Sequence, residues 1–463
     1  MKKNFILIVL SLFIINTLNA QDKKEDKEQT KEKTNKNLPI KPERFYNLST
    51  DTGSWMSLDV SPDGQTIVFD LLGDIYSIPI SGGKAKRITK GMAFDSHPKY
   101  SPDGESIAYV SDKSGGNNIW IRNLNTKDSI QITKEKDNQT AFADWSKDGD
   151  YLIISKGRRN LKLHMYHKDG GRGVKLIDKP TSLKVVQPEV GVNNRYIWYA
   201  NRTNSWQYNA GLPQYQISKY DRDTGEIKRE TSRFGSAFTP TLSPDGKSLV
   251  YGTRYEDKTA LRIRNLETGY EKWLAFPIQK DDQESQATMG VLPNMTFTPD
   301  SKYLILSYGG KINKIDINEG TSVEIPFQIN ETLEVGPELK FDYNISDDKS
   351  MIVNQIRNPS LSPDNKKISF TALNKLYVID IESKQMLRLT SFEDETTEAM
   401  SNWSPDGKEI VFVTWNDKTG GSLYKVRSDG KRNPILLTKS NDKRINGVYL
   451  SLIHISEPTR PSL

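Results

Sequence analysis

The 463-residue chain has no cysteine. That excludes disulfides, thiolate metal sites, a Cys nucleophile and a lipid-modified Cys at an N-terminal cleavage site. Histidine is nearly as scarce: His97, His164, His167 and His454 are the four in the sequence, too few to build a histidine-rich metal centre. No Gly-x-Ser-x-Gly nucleophile turn occurs, and no segment keeps a sustained helical period. The net charge of +6 comes from 65 basic and 59 acidic residues dispersed along the chain, so nothing in it argues for a nucleic-acid partner.

Long apolar runs are missing as well, except for Phe5 to Ile15, which follows Lys2 and Lys3 and precedes a small-residue ending at Leu18-Asn19-Ala20. This pattern predicts a secretory signal peptide over residues 1–20, and hence a periplasmic or secreted protein. The alternative, an uncleaved anchor, needs roughly 20 apolar residues. Residues 21–40, beginning Gln21-Asp22-Lys23-Lys24-Glu25, mix both charge signs with almost nothing apolar, and are expected to form a disordered leader. At the other end, Leu450 to Leu463 continues no strand pattern and resembles a translated sequencing adapter. It is taken as artefact, with the natural sequence interrupted near Tyr449.

What the sequence does have is a repeat. Ser61-Pro62-Asp63-Gly64 recurs from Ser101, Ser243 and Ser404, with looser copies from Ser146, Thr298 and Ser362 and a degenerate one from Gly191. The residue before each start is apolar, as are the sixth and eighth residues after it, for example Val60, Ile67 and Phe69. Apolar positions two apart on either side of a Pro-Asp-Gly turn describe two antiparallel strands with a buried face. A third strand follows, as in Asp74 to Ile78, Asn118 to Ile121 or Lys375 to Ile379. Then come a turn such as Ser81-Gly82-Gly83 and a fourth strand such as Ala85 to Thr89 or Met386 to Thr390. Four strands per unit make a propeller blade.

The widest gap between starts lies between Thr298 and Ser362, and within it Glu338 to Ser346 echoes Glu43 to Ser49. Each of these segments is expected to open a ring by joining its last blade. The predicted fold is therefore all-β: a six-bladed β-propeller over 41–335, followed by the first two blades of a second, truncated propeller over 336–449.

The Ser-Pro-Asp-Gly register with its Ile-x-Phe/Tyr and Leu-Thr endings resembles the TolB-like propeller repeat over residues 43 to 449. The stretches Trp55 to Gly64, Phe69 to Tyr76, Pro293 to Ser301 and Val413 to Asp417 are similar to the N-terminal half of large secreted proteins in which two such propellers precede a metal-dependent amidohydrolase barrel. The resemblance implies that chemistry belongs to that barrel, where histidines and an aspartate hold a divalent metal, and that this chain gates or recruits substrate for it in cis. No position here matches the barrel's His-x-His motif. Two alternatives stay open: a free-standing interaction module that takes protein or peptide ligands, and the propeller half of a secreted serine peptidase.

No catalytic, cofactor-binding or metal-binding residue is assigned from the sequence. His164 and His167 lie three apart on a predicted strand and so point to opposite faces; His97 belongs to another blade. The aspartates of the repeated turns are assigned to turn chemistry, with a carboxylate-only Ca²⁺ site as the remaining metal alternative. Arg158-Arg159 and Lys431-Arg432 are expected to be solvated turn charges. The insertion Asn201 to Tyr215, flanked by Trp198, Tyr199, Trp206 and Tyr208, is expected to be the longest loop of the first ring and its best binding edge.

Overall fold

The computed structural model describes residues 41–136, 139–205, 211–340, 342 and 346–438. The expected signal peptide, leader and adapter-like tail with His454 lie outside the described residues, as do Trp206, Tyr208, Phe341 and 343–345. The described residues are all-β, and no helix among them is long and apolar enough to cross a membrane. The chain divides into two compact units, Met1–Leu339 and Lys340–Leu463.

Each repeated turn is built by its own side chains. Ser61 Oγ donates to Asp63 Oδ1 at 2.5 Å and accepts from the Thr66 amide, while Asp63 Oδ1 also accepts from the Gln65 amide. The same set recurs at Ser101, Ser146, Ser243, Thr298, Ser362 and Ser404. Gly191 has no hydroxyl, yet its turn keeps the backbone pattern, with the Gly191 amide on Tyr196 O and the Asn194 amide on Gly191 O. Gly64 closes its turn at φ +73, and its α-carbon faces the Pro299 ring; Gly104 meets Pro62 in the same way, and Gly149 meets Pro102. A side chain at these glycines would be strained by the positive φ, although the neighbouring proline leaves it ordinary van der Waals space.

In the first unit six four-stranded antiparallel sheets follow one another. Their first strands are Leu58–Val60, Asp95–Tyr100, Gln139–Trp145, Lys184–Val190, Phe238–Leu242 and Thr296–Phe297. Each first strand packs against the next, and the sixth returns to the first. Apolar clusters fill the spaces between consecutive sheets. Val68, Ile75, Ile107 and Tyr109 lie between the first and second, and Phe69, Tyr76, Ile305 and Ile325 join the first to the sixth. This is a β-propeller, and burial of these sheet faces is its main source of stability.

Several first strands carry a bulge at the fourth residue before the turn, with positive φ at His97, Gln187 and Thr239. The extra residue turns successive side chains toward the axis and puts a proline (Pro98, Pro188, Pro240) directly after the bend.

The opening segment departs from expectation. Strand Arg44–Thr50 does not join a blade; it pairs antiparallel with Phe327–Val335, which follows the sixth sheet. Phe327 and Gln328 in turn pair parallel with Gly83 and Lys84, in the connection between the third and fourth strands of the first sheet. Arg87 pins this tie: Nη2 contacts Asp74 at 2.7 Å and Glu334 at 2.6 Å, and Nη1 donates to Thr332 O. Phe327–Val335 is thus paired from Ile329 onward by Arg44–Thr50, which remains the exposed edge strand of this small sheet.

The second unit contains two four-stranded sheets, with first strands Ile356–Leu361 and Thr397–Trp403, packed through Leu376, Val378, Ile410 and Phe412. The echo segment at 338–346 forms no strand among the described residues.

Candidate functional site

The polar centre of the first unit lies on its axis, where the bulged strands aim two layers of side chains. The lower layer comes from the residue two before each turn: Asp59, Lys99, Asp144, Glu189, Thr241 and Thr296. Lys99 Nζ stands 3.6 Å from Asp59, 3.9 Å from Asp144 and 3.7 Å from Glu189. All four side chains are nearly enclosed, the most exposed being Lys99 at 13%.

Burial acts on Glu189, Asp59 and Lys99. It pushes Glu189 up to about 7 and also raises Asp59, in both cases against the pull of Lys99. Burial alone would lower Lys99, but the three carboxylates outweigh it and hold the ammonium above its ordinary value. Two of the carboxylates also act as clamps between sheets. Asp59 Oδ2 accepts the Tyr100 amide at 2.8 Å, and Asp144 Oδ2 accepts the Val190 amide at 2.7 Å.

The upper layer comes from the residue four before each turn: Ser57, His97, Phe142, Gln187, Thr239 and Asn294. His97 meets Phe142 edge-on at 5.1 Å, and Gln187 accepts from Thr239 Oγ1 and donates to Asn294 Oδ1. Burial pushes His97 down to about 4, so it is neutral at physiological pH, and its backbone amide is held by buried Asp70. Asp70 also accepts the Ser57 amide, and burial nevertheless pushes it up to about 7.

A loop rests on this upper layer. The connection from Phe276 to Met295 is longer than the expected insertion between Arg202 and Gln216. Its Val291 amide donates to Gln187 Oε1, and its Leu292 and Met289 carbonyls accept from Gln187 Nε2 and Trp55 Nε1. Asp281, at the root of the loop, is locked by Arg254 and Thr259. Between loop and lower layer remains a small cavity lined by Lys99, Gln187, Glu189, Thr239 and Asn294. The axis thus holds its lysine among three carboxylates below and is roofed above.

The structure does not bring the three described histidines together. His97 is axial; His164 and His167 lie on the strand Lys162–His167. There His164 Nδ1 faces Lys162 O, and His167 faces Asp169 and the Tyr151 ring. Among the described residues no group of three or more His, Cys, Asp or Glu is arranged to hold a metal ion. The divalent metal implied by the amidohydrolase resemblance therefore has no fitting site among them.

The aspartates of the repeated turns are held below their usual range, first by the Ser or Thr hydroxyl and then by backbone amides. Arg158-Arg159 and Lys431-Arg432 lie in connections between strands. Around the expected binding insertion, Trp198, Tyr199 and Tyr215 are buried between sheets, so these aromatics pack the core instead of forming a binding edge. The axial residues were missed by sequence reasoning, although a signal existed: the position two before each turn is polar in every sheet, beside an always-apolar neighbour.

Comparison with known proteins agrees with the fold. Residues 56–208 match the family model described as the Tricorn protease N-terminal beta propeller domain. A tricorn protease homolog of Streptomyces coelicolor is 27% identical over 102 residues, covering 22% of this chain and 10% of that protein. Dipeptidyl-peptidase 5 of Porphyromonas gingivalis is 28% identical over 116 residues, 21% of this chain and 17% of that one. The Tol-Pal system protein TolB of Francisella tularensis is 39% identical over 88 residues, 18% of this chain and 19% of that one. The chain thus spans less than a quarter of the length of each of these relatives.

Among solved structures, TolB from Acinetobacter baumannii is 18% identical, covering 60% of this chain and 65% of that one at a TM-score of 0.45. The tricorn protease is 14% identical, covering 85% and 40% at a TM-score of 0.45. The sheets described above, the tricorn-propeller match and the TolB relatives together support a TolB-like propeller.

Proposed function

We propose that this chain is the non-catalytic propeller portion of a larger periplasmic or secreted hydrolase: a six-bladed ring followed by the first two blades of a second. The ring recruits substrate for a catalytic domain carried in cis, which by the resemblance at Trp55 to Gly64 and Pro293 to Ser301 is a metal-dependent amidohydrolase acting on C–N bonds. The carrying observation is the axis, where three carboxylates converge on Lys99 instead of on a reacting group and the 276–295 loop covers them. Such an arrangement suits recruitment on the outer surface better than gating through the centre.

A second reading is the propeller half of a serine peptidase, favoured by the dipeptidyl-peptidase and tricorn relatives. The third, a free-standing interaction module, is favoured by the TolB relatives.

The coding sequence beyond codon 449 tests these readings together with the purified chain. Further blades followed by His-x-His, and a chain that hydrolyses no amide or ester and keeps no zinc after dialysis, support the first. A Gly-x-Ser-x-Gly turn or an immediate native stop overturns it. So does one equivalent of tightly held zinc on the chain itself.

A further inference from the structure

The roomiest of the clefts described in the first unit, about 1040 Å³, lies away from the axis, between the last strand of the first sheet and the second sheet. Its deeper part holds Lys113 and Arg122. Lys113 Nζ donates to Tyr109 Oη at 2.9 Å and sits 3.6 Å over the Trp120 ring, while Arg122 touches Ser129 Oγ at 3.3 Å. Lys86, Lys90 and Lys127 stand at the rim. None of these five cations meets a carboxylate within 4.0 Å among the described residues. Arg87 in the same wall is, by contrast, neutralised by Asp74 and Glu334.

The cleft's own carboxylates are Asp95, Asp112 and Glu331. Asp112 accepts the Phe94 amide, and burial raises the pKa of Asp95 against the pull of Lys113. An excess of positive charge remains. Ile88, Met92 and Leu124 supply an apolar wall. The volume is at the upper end for a small-molecule pocket, and the cations are spread along the cleft instead of converging on one point. Both features fit an extended chain with several carboxylates better than a single compact anion.

We propose that this cleft binds an extended acidic polypeptide segment, with carboxylate side chains on Lys113 and Arg122 and apolar side chains against Ile88, Met92 and Leu124. Lys113 is pre-positioned by its aromatic floor, and burial lowers its pKa. An incoming carboxylate restores the counter-charge that the cleft lacks. The site is independent of which catalytic domain the ring serves.

The test is fluorescence anisotropy of the full chain with a labelled short peptide alternating Glu and Leu. A Gln-for-Glu peptide and a labelled uronate oligosaccharide serve as comparison probes. The Glu peptide is expected to bind, and to bind more weakly as salt rises. Lys113→Met and Arg122→Gln are each expected to weaken it by about tenfold or more. The exposed pair Lys86→Ala/Lys127→Ala, which does not disturb packing, is expected to weaken it several-fold and to flatten the salt dependence. Equal binding of the Gln peptide overturns the proposal. So does unchanged affinity in the rim variant and Arg122→Gln, or tighter binding of the uronate probe.

Discussion

Replacing Lys99 by Met removes the cation that the three axial carboxylates share and leaves Asp59, Asp144 and Glu189 facing one another in an enclosed space. At separations of 3.6 to 3.9 Å, each attraction is about 4 kcal/mol at an effective dielectric near 20. Mutual repulsion of the carboxylates and their desolvation offset much of that sum. Loss of one partner from a buried ionic cluster costs about 3–5 kcal/mol, which is the expected destabilisation at about pH 8.

The pH dependence of this loss comes from the carboxylates. Glu189 lies above its ordinary 4.5, at about 7, so its ionisation costs stability that appears as pH rises through this window. Lys99 is raised, so its contribution is fully present across the same range. Near pH 5.5 Glu189 is protonated, so one carboxylate charge is gone and the penalty of the substitution shrinks to about 1–2 kcal/mol. Urea unfolding at the two pH values checks this, with hydrogen exchange at Tyr100 and Val190, whose amides are held by Asp59 and Asp144. A neutral substitution at pH 8, or an equal loss at both pH values, would refute the reasoning.

Two further substitutions test the scaffold. Ser101→Ala removes the hydroxyl that donates to Asp103 and accepts from Ser106, and is expected to lower stability by about 1–2 kcal/mol in urea titrations near neutrality. Because the folded Asp103 is held below its ordinary value, that deficit should shrink in acid once the carboxylate is protonated; a deficit unchanged at low pH counts against this account of the turn. Gly82→Ala sets a Cβ against the Pro326 carbonyl at φ +86 and is expected to cost about 1 kcal/mol or more. Limited proteolysis should then cut faster within Phe327–Val335, and an unchanged cleavage pattern would show that the tie does not depend on this turn.

The blades were legible because their information is local. A turn that needs Ser, Pro, Asp and Gly in fixed order, followed by alternating apolar residues, marks two strands within a dozen positions. Even Gly191, with only the last trace of the motif, forms the expected turn. The third strands begin where expected, at Asp74, Asn118 and Lys375.

The seam was not legible, since Arg44 pairs with Val335 and nothing near either residue names the other. The axial layer left a pattern of polar residues two before each turn, but its meaning depends on bulges at His97, Gln187 and Thr239 that spacing alone does not reveal. The 276–295 loop was passed over for the insertion at Asn201 to Tyr215, of whose aromatics the described ones, Trp198, Tyr199 and Tyr215, pack the core.

The tie between Arg44–Thr50 and Phe327–Val335 also has a mechanical side. The polypeptide enters the first strand and leaves the second at the same end of the ladder, where Arg44 faces Val335. Traction applied to the backbone on the outer sides of Arg44 and Val335 therefore peels the seven residue pairs one after another and does not load them in parallel. Arg87 holds Thr332 and Glu334 near that same end, so under tension the first blade shares the load from the start and acts as the latch of the seam.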